Sequence, residues 1–251
     1  MSELRETYTP GYTLSAVDFM SRRTAETHAA FFLPYLKPGM RLLDCGCGPG
    51  GITVGLAQRV SPGEVIGIDV GGAQLERARE RAASAHINAT FREASVYALP
   101  FPDNHFDAIF SHALFEHLAE PMKALREIQH VLKSGGCFGF RSPDWGGFVL
   151  HPWNNPIASA LADYQNLQRS NGGDVFAGRK LSAWLRQAGF VRIQASASYE
   201  IYPRATLIAD YLAQQLDAKG LMGAATIFRE WSHHPEAQFA QAWFEAVGFK
   251  D

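Results

Sequence analysis

The chain has 251 residues, is 47% hydrophobic and 19% charged, and carries 23 basic against 25 acidic residues. That length and apolar fraction suffice for one large core, so a single decorated domain is expected over 1–251, with a core at 35–200. A net charge of −2 with no basic run longer than Arg22-Arg23 argues against a nucleic-acid partner, and no apolar run approaches a membrane span. The start of the chain, Met1-Ser2-Glu3-Leu4-Arg5-Glu6, has no signal-peptide pattern. Cys45, Cys47 and Cys137 fall in or beside predicted strand ends, which suits reduced thiols and a cytoplasmic location.

Ser15, with Asp18 three residues on, opens a helical pattern that continues through Thr24 to Phe32 and is broken at Pro38-Gly39. From there, strand-like apolar runs at 41–45, 65–69, 89–93, 107–111 and 136–141 alternate with helical segments at 50–59, 72–85 and 120–132. Such alternation means a parallel sheet with helices on both faces and right-handed crossovers. Its ligands bind outside the carboxyl ends of the strands. Residues 142–178 read as a long aromatic excursion over the sheet edge, with one helix near 157–169. A helix over 179–188, stopped by Gly189, precedes a strand from Phe190 to about Ala197. The tail from 203 is expected to be helical. Its last helix would start near Pro235, present Phe239, Trp243 and Val247 at a spacing of four, and stop at Gly248.

The richest stretch is Leu42-Leu43-Asp44-Cys45-Gly46-Cys47-Gly48-Pro49-Gly50-Gly51, a buried strand ending in a carboxylate and turning at once into a helix. Glycines 46, 48 and 50 let the backbone turn sharply and let a ligand lie against it. Gly46-x-Gly48-x-x-Gly51 also matches the dinucleotide fingerprint. A pyrophosphate, however, needs free N–H groups and no fixed anion beside them. Pro49 has no N–H, and Asp44 stands at the strand end. The ligand implied has a positive pole and no phosphates, and S-adenosylmethionine fits. Asp69, closing the second strand, suits the two hydroxyls of an adenosine ribose, with a helix N-cap as the alternative. Gln74 lies within reach of the ribose or adenine edge, and Tyr12 and Arg23 are candidates to clamp the methionine carboxylate, with a solvated helix residue as the alternative for Arg23. Cys45-x-Cys47 has no second ligand pair of suitable spacing, so no metal is expected.

Four motifs in order now carry a family resemblance: Leu43–Gly50; Gly67-Ile68-Asp69; Ala98-Leu99-Pro100-Phe101-Pro102-Asp103-Asn104-His105-Phe106-Asp107; and Val131-Leu132-Lys133-Ser134-Gly135-Gly136. Over roughly 40–142 the chain resembles the class I S-adenosylmethionine-dependent methyltransferases, in particular the small-molecule branch related to ubiquinone and menaquinone methyltransferases. The resemblance implies an α/β, Rossmann-like, doubly wound and mostly parallel seven-stranded sheet, with a mainly helical lid from 1–34, 142–178 and 203–251. It implies that Asp44 and the backbone at Gly46 hold the methionine ammonium and Asp69 the ribose. Cys47, Gly48, Gly50, Val70, Ala113 and His117 complete the expected cofactor set. Where the family often has an aspartate for the adenine amino group, this chain has Ser95, and the Val96 amide is expected at the adenine ring. His112 falls near the reaction centre, either as general base or through its backbone alone. Glu116 and His117 match a pair common in the family and are expected to orient or support.

His28, His86, His105 and His130 are expected at the surface. Tyr8, Trp145, His151 and Trp153 are the expected substrate contacts, and the aromatic content of the lid points to an apolar or aromatic small-molecule acceptor. Expected, then, is methyl transfer to O, N or C of such a metabolite, with no nucleic-acid or membrane partner, by a monomer or homodimer. The alternatives are a catalytically silent S-adenosylmethionine-binding partner subunit and an NAD-dependent oxidoreductase.

Overall fold

The computed structural model describes residues 6–11 and 14–251. Two short helices, Leu14–Ser21 (α1) and Ala25–His28 (α2), precede the first strand, Leu42–Cys45 (β1). Gly51–Val60 (α3), Val65–Asp69 (β2), Gly72–Ser84 (α4), Thr90–Glu93 (β3), Phe106–His112 (β4) and Pro121–Val131 (α5) follow in alternation. The strand Leu132–His151 (β5) leads to Asn155–Ser170 (α6), Leu181–Gln187 (α7) and Val191–Ile201 (β6). Ala205–Asp217 (α8), Met222–Ser232 (α9) and Gln238–Phe249 (β7) complete the chain.

The seven strands form one sheet in the order β3-β2-β1-β4-β5-β7-β6. Strands β1 to β5 pair in parallel, whereas β7 runs antiparallel to both β5 and β6. The expected mostly parallel, doubly wound sheet is therefore present. Alternation along the strands sends neighbouring residues to opposite faces. Leu43, Cys45 and Ile109 pack with α5 and α7, while Leu42, Ala108 and Phe110 pack with α3 and Phe32. A third apolar cluster joins α6, α8 and α9 to Trp145 and Phe239. It forms the helical cover of the sheet's C-terminal half. Strand order reverses between β1 and β4, which makes the loops after these two strands the natural ligand crevice.

Three expectations needed correction. The last helix from Pro235 is instead β7, the strand that joins β5 to β6. Residues four apart share a face of a strand as well as of a helix, so Phe239, Trp243 and Val247 fitted both periods. What decides is that both faces are covered: Ala242 and Ala246 are as buried as Trp243 and Val247. Residues 142–151 do not leave the sheet but extend β5 against β7, with a bulge between Asp144 and Val149. The N-terminal helix is split: Thr24 takes an extended conformation (φ −129°, ψ 163°), and its N–H is 3.3 Å from Nδ1 of His28. Past Ala29 the chain tightens into a turn and a short 3₁₀ segment at Leu33–Tyr35.

That turn presses Phe32, fully buried, onto the backbone of β5 at Gly139. A Cβ at Gly139 would stand 2.3 Å from the Phe32 ring. Gly139→Ala is expected to destabilise the protein by about 1–3 kcal/mol, the range for overpacking. The measurement is the urea midpoint, and an unchanged midpoint would show that the N-terminal turn is not seated on the sheet as described.

Candidate functional site

The loop after β1 is built from three left-handed glycines, with φ of 73° at Gly46, 51° at Gly48 and 75° at Gly50. Gly46 and Cys47 both donate their N–H to the Ile68 carbonyl, at 2.8 and 2.9 Å, and lock the loop to β2. Ser111 Oγ donates to the Cys45 carbonyl at 3.0 Å and ties the end of β4 to the end of β1. At the start of α3, a Cβ on Gly51 would lie 2.5 Å from the Arg23 carbonyl, so only glycine lets the segment after α1 pass there. These contacts converge on a cavity open to solvent.

Two carboxylates dominate it. Asp44 is 2% exposed, and its Oδ2 accepts from Thr53 Oγ1 at 2.6 Å. Burial pushes its carboxyl up to about 7, against the lowering pull of the Thr53 hydrogen bond and with the Asp69 charge adding to the rise. Among the described residues no cation pairs with it. Asp69 holds the loops on either side of itself: Gly48 N–H donates to Oδ2 at 3.0 Å and Gly71 N–H to Oδ1 at 2.8 Å. Burial raises its carboxyl as well, and backbone donors offset part of the rise. Each oxygen keeps a lone pair for a further donor. Gln74 lines the cavity and is 2% exposed, and its Oε1 is buried without a hydrogen-bond partner.

Of the expected cofactor residues, Arg23, Asp44, Gly46, Cys47, Gly48, Asp69, Val70, Gln74, His112, Ala113 and His117 all line this cavity, as does Pro49. Tyr12 lies outside the described residues. Gly50, Ser95 and Val96 are not part of the lining. A Cβ on Gly50 would meet Ala78, so Gly50 serves the packing of α3 on α4. The Ser95 hydroxyl accepts from Tyr97 N–H at 3.2 Å and stabilises its own turn, while Val96 belongs to the core.

A second, smaller cavity adjoins the first and shares Tyr8, Arg23, Ala113 and His117 with it. Its walls are aromatic, with Trp145, Tyr164, Tyr202, Tyr211 and Trp243, and its polar groups include Glu116, Gln168 and Gln241. Residues 6–11 strap over the junction. Glu6 Oε2 accepts from the Tyr97 hydroxyl at 2.6 Å and from Ala119 N–H at 2.9 Å. Tyr8 stands edge-on to His117, with ring centroids 4.8 Å apart. Trp145 and Tyr8 thus stand where substrate contacts were expected. His151 and Trp153 do not: they fall at and beyond the far end of β5, outside the lining of both cavities. His151 pairs with Glu236 at the surface and Trp153 stacks on Phe148.

His112 is buried, and its geometry argues against a base. Its Nε2 lies 3.1 Å from Arg141 Nη1. A guanidinium only donates, so Nε2 must offer its lone pair there and the ring proton must sit on Nδ1. Burial, then the charges of Arg23 and Arg141, hold the ring well below its usual range. Nδ1–H is buried with no acceptor, which leaves His112 an unused hydrogen-bond donor. His28, expected at the surface, is instead buried edge-on against His112 at 5.2 Å and lies 3.5 Å from Glu200. Arg141, Trp243 and Glu245 were not legible as site residues. They enter through β7, where Arg141 pairs in register with Glu245 and lies over the Trp243 ring at 4.4 Å. Among the described residues no cluster of three or more His, Cys, Asp or Glu could hold a metal ion. Nor is any helix there long and apolar enough to cross a membrane.

Imidazole NMR is expected to find the His112 ring neutral, with its proton on Nδ1, from about pH 8 down to about pH 5. An imidazolium signal for His112 near pH 6 would contradict the Arg141 contact.

A family model described as a methyltransferase domain matches residues 36–189. An uncharacterized methyltransferase of Schizosaccharomyces pombe is 37% identical over 185 residues, covering 70% of this chain and 66% of that protein. A demethylmenaquinone methyltransferase of Symbiobacterium thermophilum is 37% identical over 107 residues, covering 41% of this chain and 43% of its own. The chain thus spans between about two fifths and two thirds of the length of these curated relatives. Among solved structures, the YcgJ protein of Bacillus subtilis matches with a TM-score of 0.66 at 18% identity, over 88% of this chain and 97% of that one. That likeness shows a shared fold.

Proposed function

The chain belongs to the methyltransferase-domain family, and on that premise we propose that it binds S-adenosylmethionine and transfers the methyl group to a small aromatic acceptor. The observation that carries this reading is the buried carboxylate of Asp44, which has no counter-charge among the described residues and needs a cation to offset its lost hydration. A methionine ammonium supplies one. Asp69 has lone pairs left for two ribose hydroxyls, and the partnerless Gln74 Oε1 accepts one further donor. A nicotinamide dinucleotide fits poorly, because its diphosphate would face Asp44 and the N–H-less Pro49.

When bound, the sulfonium supplies a methyl group already activated for displacement. The protein's residues then have three tasks: to align the acceptor, exclude water and accept a proton. Alignment falls to the residues common to both cavities, namely Tyr8, Arg23, Ala113 and His117. Ala113 holds φ at 52°, a left-handed conformation that costs about 1 kcal/mol and turns the chain sharply at the junction. Water is excluded by the strap at 6–11 and by the helical cover of α6, α8 and α9. The aromatic walls favour a flat, largely apolar acceptor. Trp243 Nε1, buried without a partner on the second cavity, favours one carrying an oxygen that accepts a hydrogen bond.

Calorimetry tests the reading. S-adenosylhomocysteine is expected to bind and NADH not to, and Asp69→Ala is expected to weaken binding by about 1–3 kcal/mol. Binding of NADH alone would overturn the assignment. Binding of S-adenosylhomocysteine with no methyl transfer to any of a broad set of metabolites would favour a silent partner subunit. The affinity should also depend on pH with a definite sign. Free Asp44 titrates at about 7, and the ammonium prefers its ionised form. Binding below that value must therefore first remove a proton. The dissociation constant is expected to rise as pH falls from about 7.5 to 5.5, by up to roughly tenfold per unit. A constant flat across that window would rule out Asp44 as the ammonium's partner.

A further inference from the structure

Aligning an acceptor leaves its proton without a destination, because the basic nitrogen of His112 is committed to Arg141. The second cavity contains another proton acceptor. Glu116 follows β4, is 3% exposed, and lines the aromatic cavity rather than the loop of glycines. Ser142 Oγ, on β5, donates to its Oε2 at 2.9 Å and fixes the carboxyl plane. Its Oε1 lies 3.7 Å from His117 Nε2, too far for a hydrogen bond. The backbone is held separately: the Glu116 carbonyl accepts from Asp174 N–H at 2.8 Å and from Gln168 Nε2 at 3.2 Å. Carboxyl and main chain are thus both anchored, and no side-chain donor among the described residues holds Oε1.

We propose that Glu116 is the catalytic base that takes the proton of the methyl acceptor. The inference rests on the methyltransferase reading above and adds to it that the acceptor presents an O–H or N–H to the second cavity. In the step itself, a lone pair of the acceptor's oxygen or nitrogen forms the new bond to the methyl carbon. The carbon–sulfur bond of the sulfonium donor breaks, with its electron pair going to sulfur. The acceptor's proton passes to Glu116 Oε1. Charge balances, as a sulfonium and a carboxylate become a thioether and a carboxylic acid.

The groups facing the carboxyl are Arg23, His117, Tyr8, Tyr164 and Tyr211. Burial keeps the tyrosines protonated and pushes His117 down to about 3, so Arg23 is the cation among them. Burial pushes Glu116 up to about 7, offset in part by hydrogen bonds from its own backbone and from Ser142. A base with that value is matched to neutral pH.

The first test needs no acceptor. Protein carrying carbon-13 at its glutamate carboxyls is saturated with S-adenosylhomocysteine and titrated by NMR from about pH 5 to 9. The Glu116 signal is identified by its loss in Glu116→Gln, or by its displacement in Glu116→Asp should the glutamine variant not fold. A carboxyl that titrates near neutral pH supports the proposal, and one that keeps a single charge state throughout overturns it. Failure of the unaltered protein to bind S-adenosylhomocysteine would instead defeat the methyltransferase reading. The second test uses any phenol, catechol or aromatic amine that the protein is found to methylate. There, Glu116→Gln is expected to lower kcat roughly a hundredfold at pH 7 and abolish its rise with pH, with S-adenosylhomocysteine affinity within about threefold of the unaltered protein. An unchanged kcat and pH profile would overturn the proposal.

Discussion

A carboxylate held under a loop with a single hydroxyl for a partner is the constraint around which this fold is arranged. Asp44 sits at the end of β1, walled by apolar strands, with Thr53 of α3 donating at 2.6 Å. Leaving a charge in such a place costs several kcal/mol unless something neutralises it. The surrounding backbone offers no relief, for the amides of Gly46 and Cys47 are spent on Ile68 and that of Gly48 on Asp69. The two carboxylates thus meet the ligand in different states. Asp69 is partly satisfied by backbone donors and is suited to hydroxyls, whereas Asp44 lacks a counter-charge among the described residues and is suited to a cation.

The second consequence is a division of labour between adjoining cavities. Both use Tyr8, Arg23, Ala113 and His117, so the two cavities meet at one wall. Beneath that wall lies a polar network, buried at its His112 end, in which Arg141 reaches His112 at 3.1 Å and Glu245 at 3.2 Å. Glu245 in turn accepts from Ser196 and Ser198 of β6. The network spans β4, β5, β7 and β6, and it fixes the tautomer of His112. A histidine held this way has its Nε2 lone pair committed to Arg141.

Much of this was legible in the sequence, and the limits have physical causes. Unbroken apolar runs marked β1, β2 and β4, and the strand-end positions of Asp44 and Asp69 followed from the loop that joins them. The C-terminal strand was not legible, because Phe239, Trp243 and Val247 satisfy helical and strand periods alike. Only the burial of Ala242 and Ala246 on the other face separates the two. Missing β7 hid Arg141, Trp243 and Glu245 as neighbours, and with them the reason that His112 is no base. Glu116 was read as a support because its motif places it beside His117. Its cavity forms only when β5, α6 and α8 close over it.

The central claim is that Asp44 reads the amino-acid pole of the ligand and Asp69 its ribose. A ligand comparison tests it most directly. S-adenosylhomocysteine carries the ammonium, whereas 5′-methylthioadenosine keeps the adenosine and lacks the amino-acid group. If the account is right, Asp44→Asn weakens S-adenosylhomocysteine by roughly tenfold or more and leaves 5′-methylthioadenosine within about twofold, since a charge-assisted contact contributes about 1.5–3 kcal/mol. Equal losses for the two ligands would contradict it, for Asp44 would then be shaping the loop rather than reading the cation.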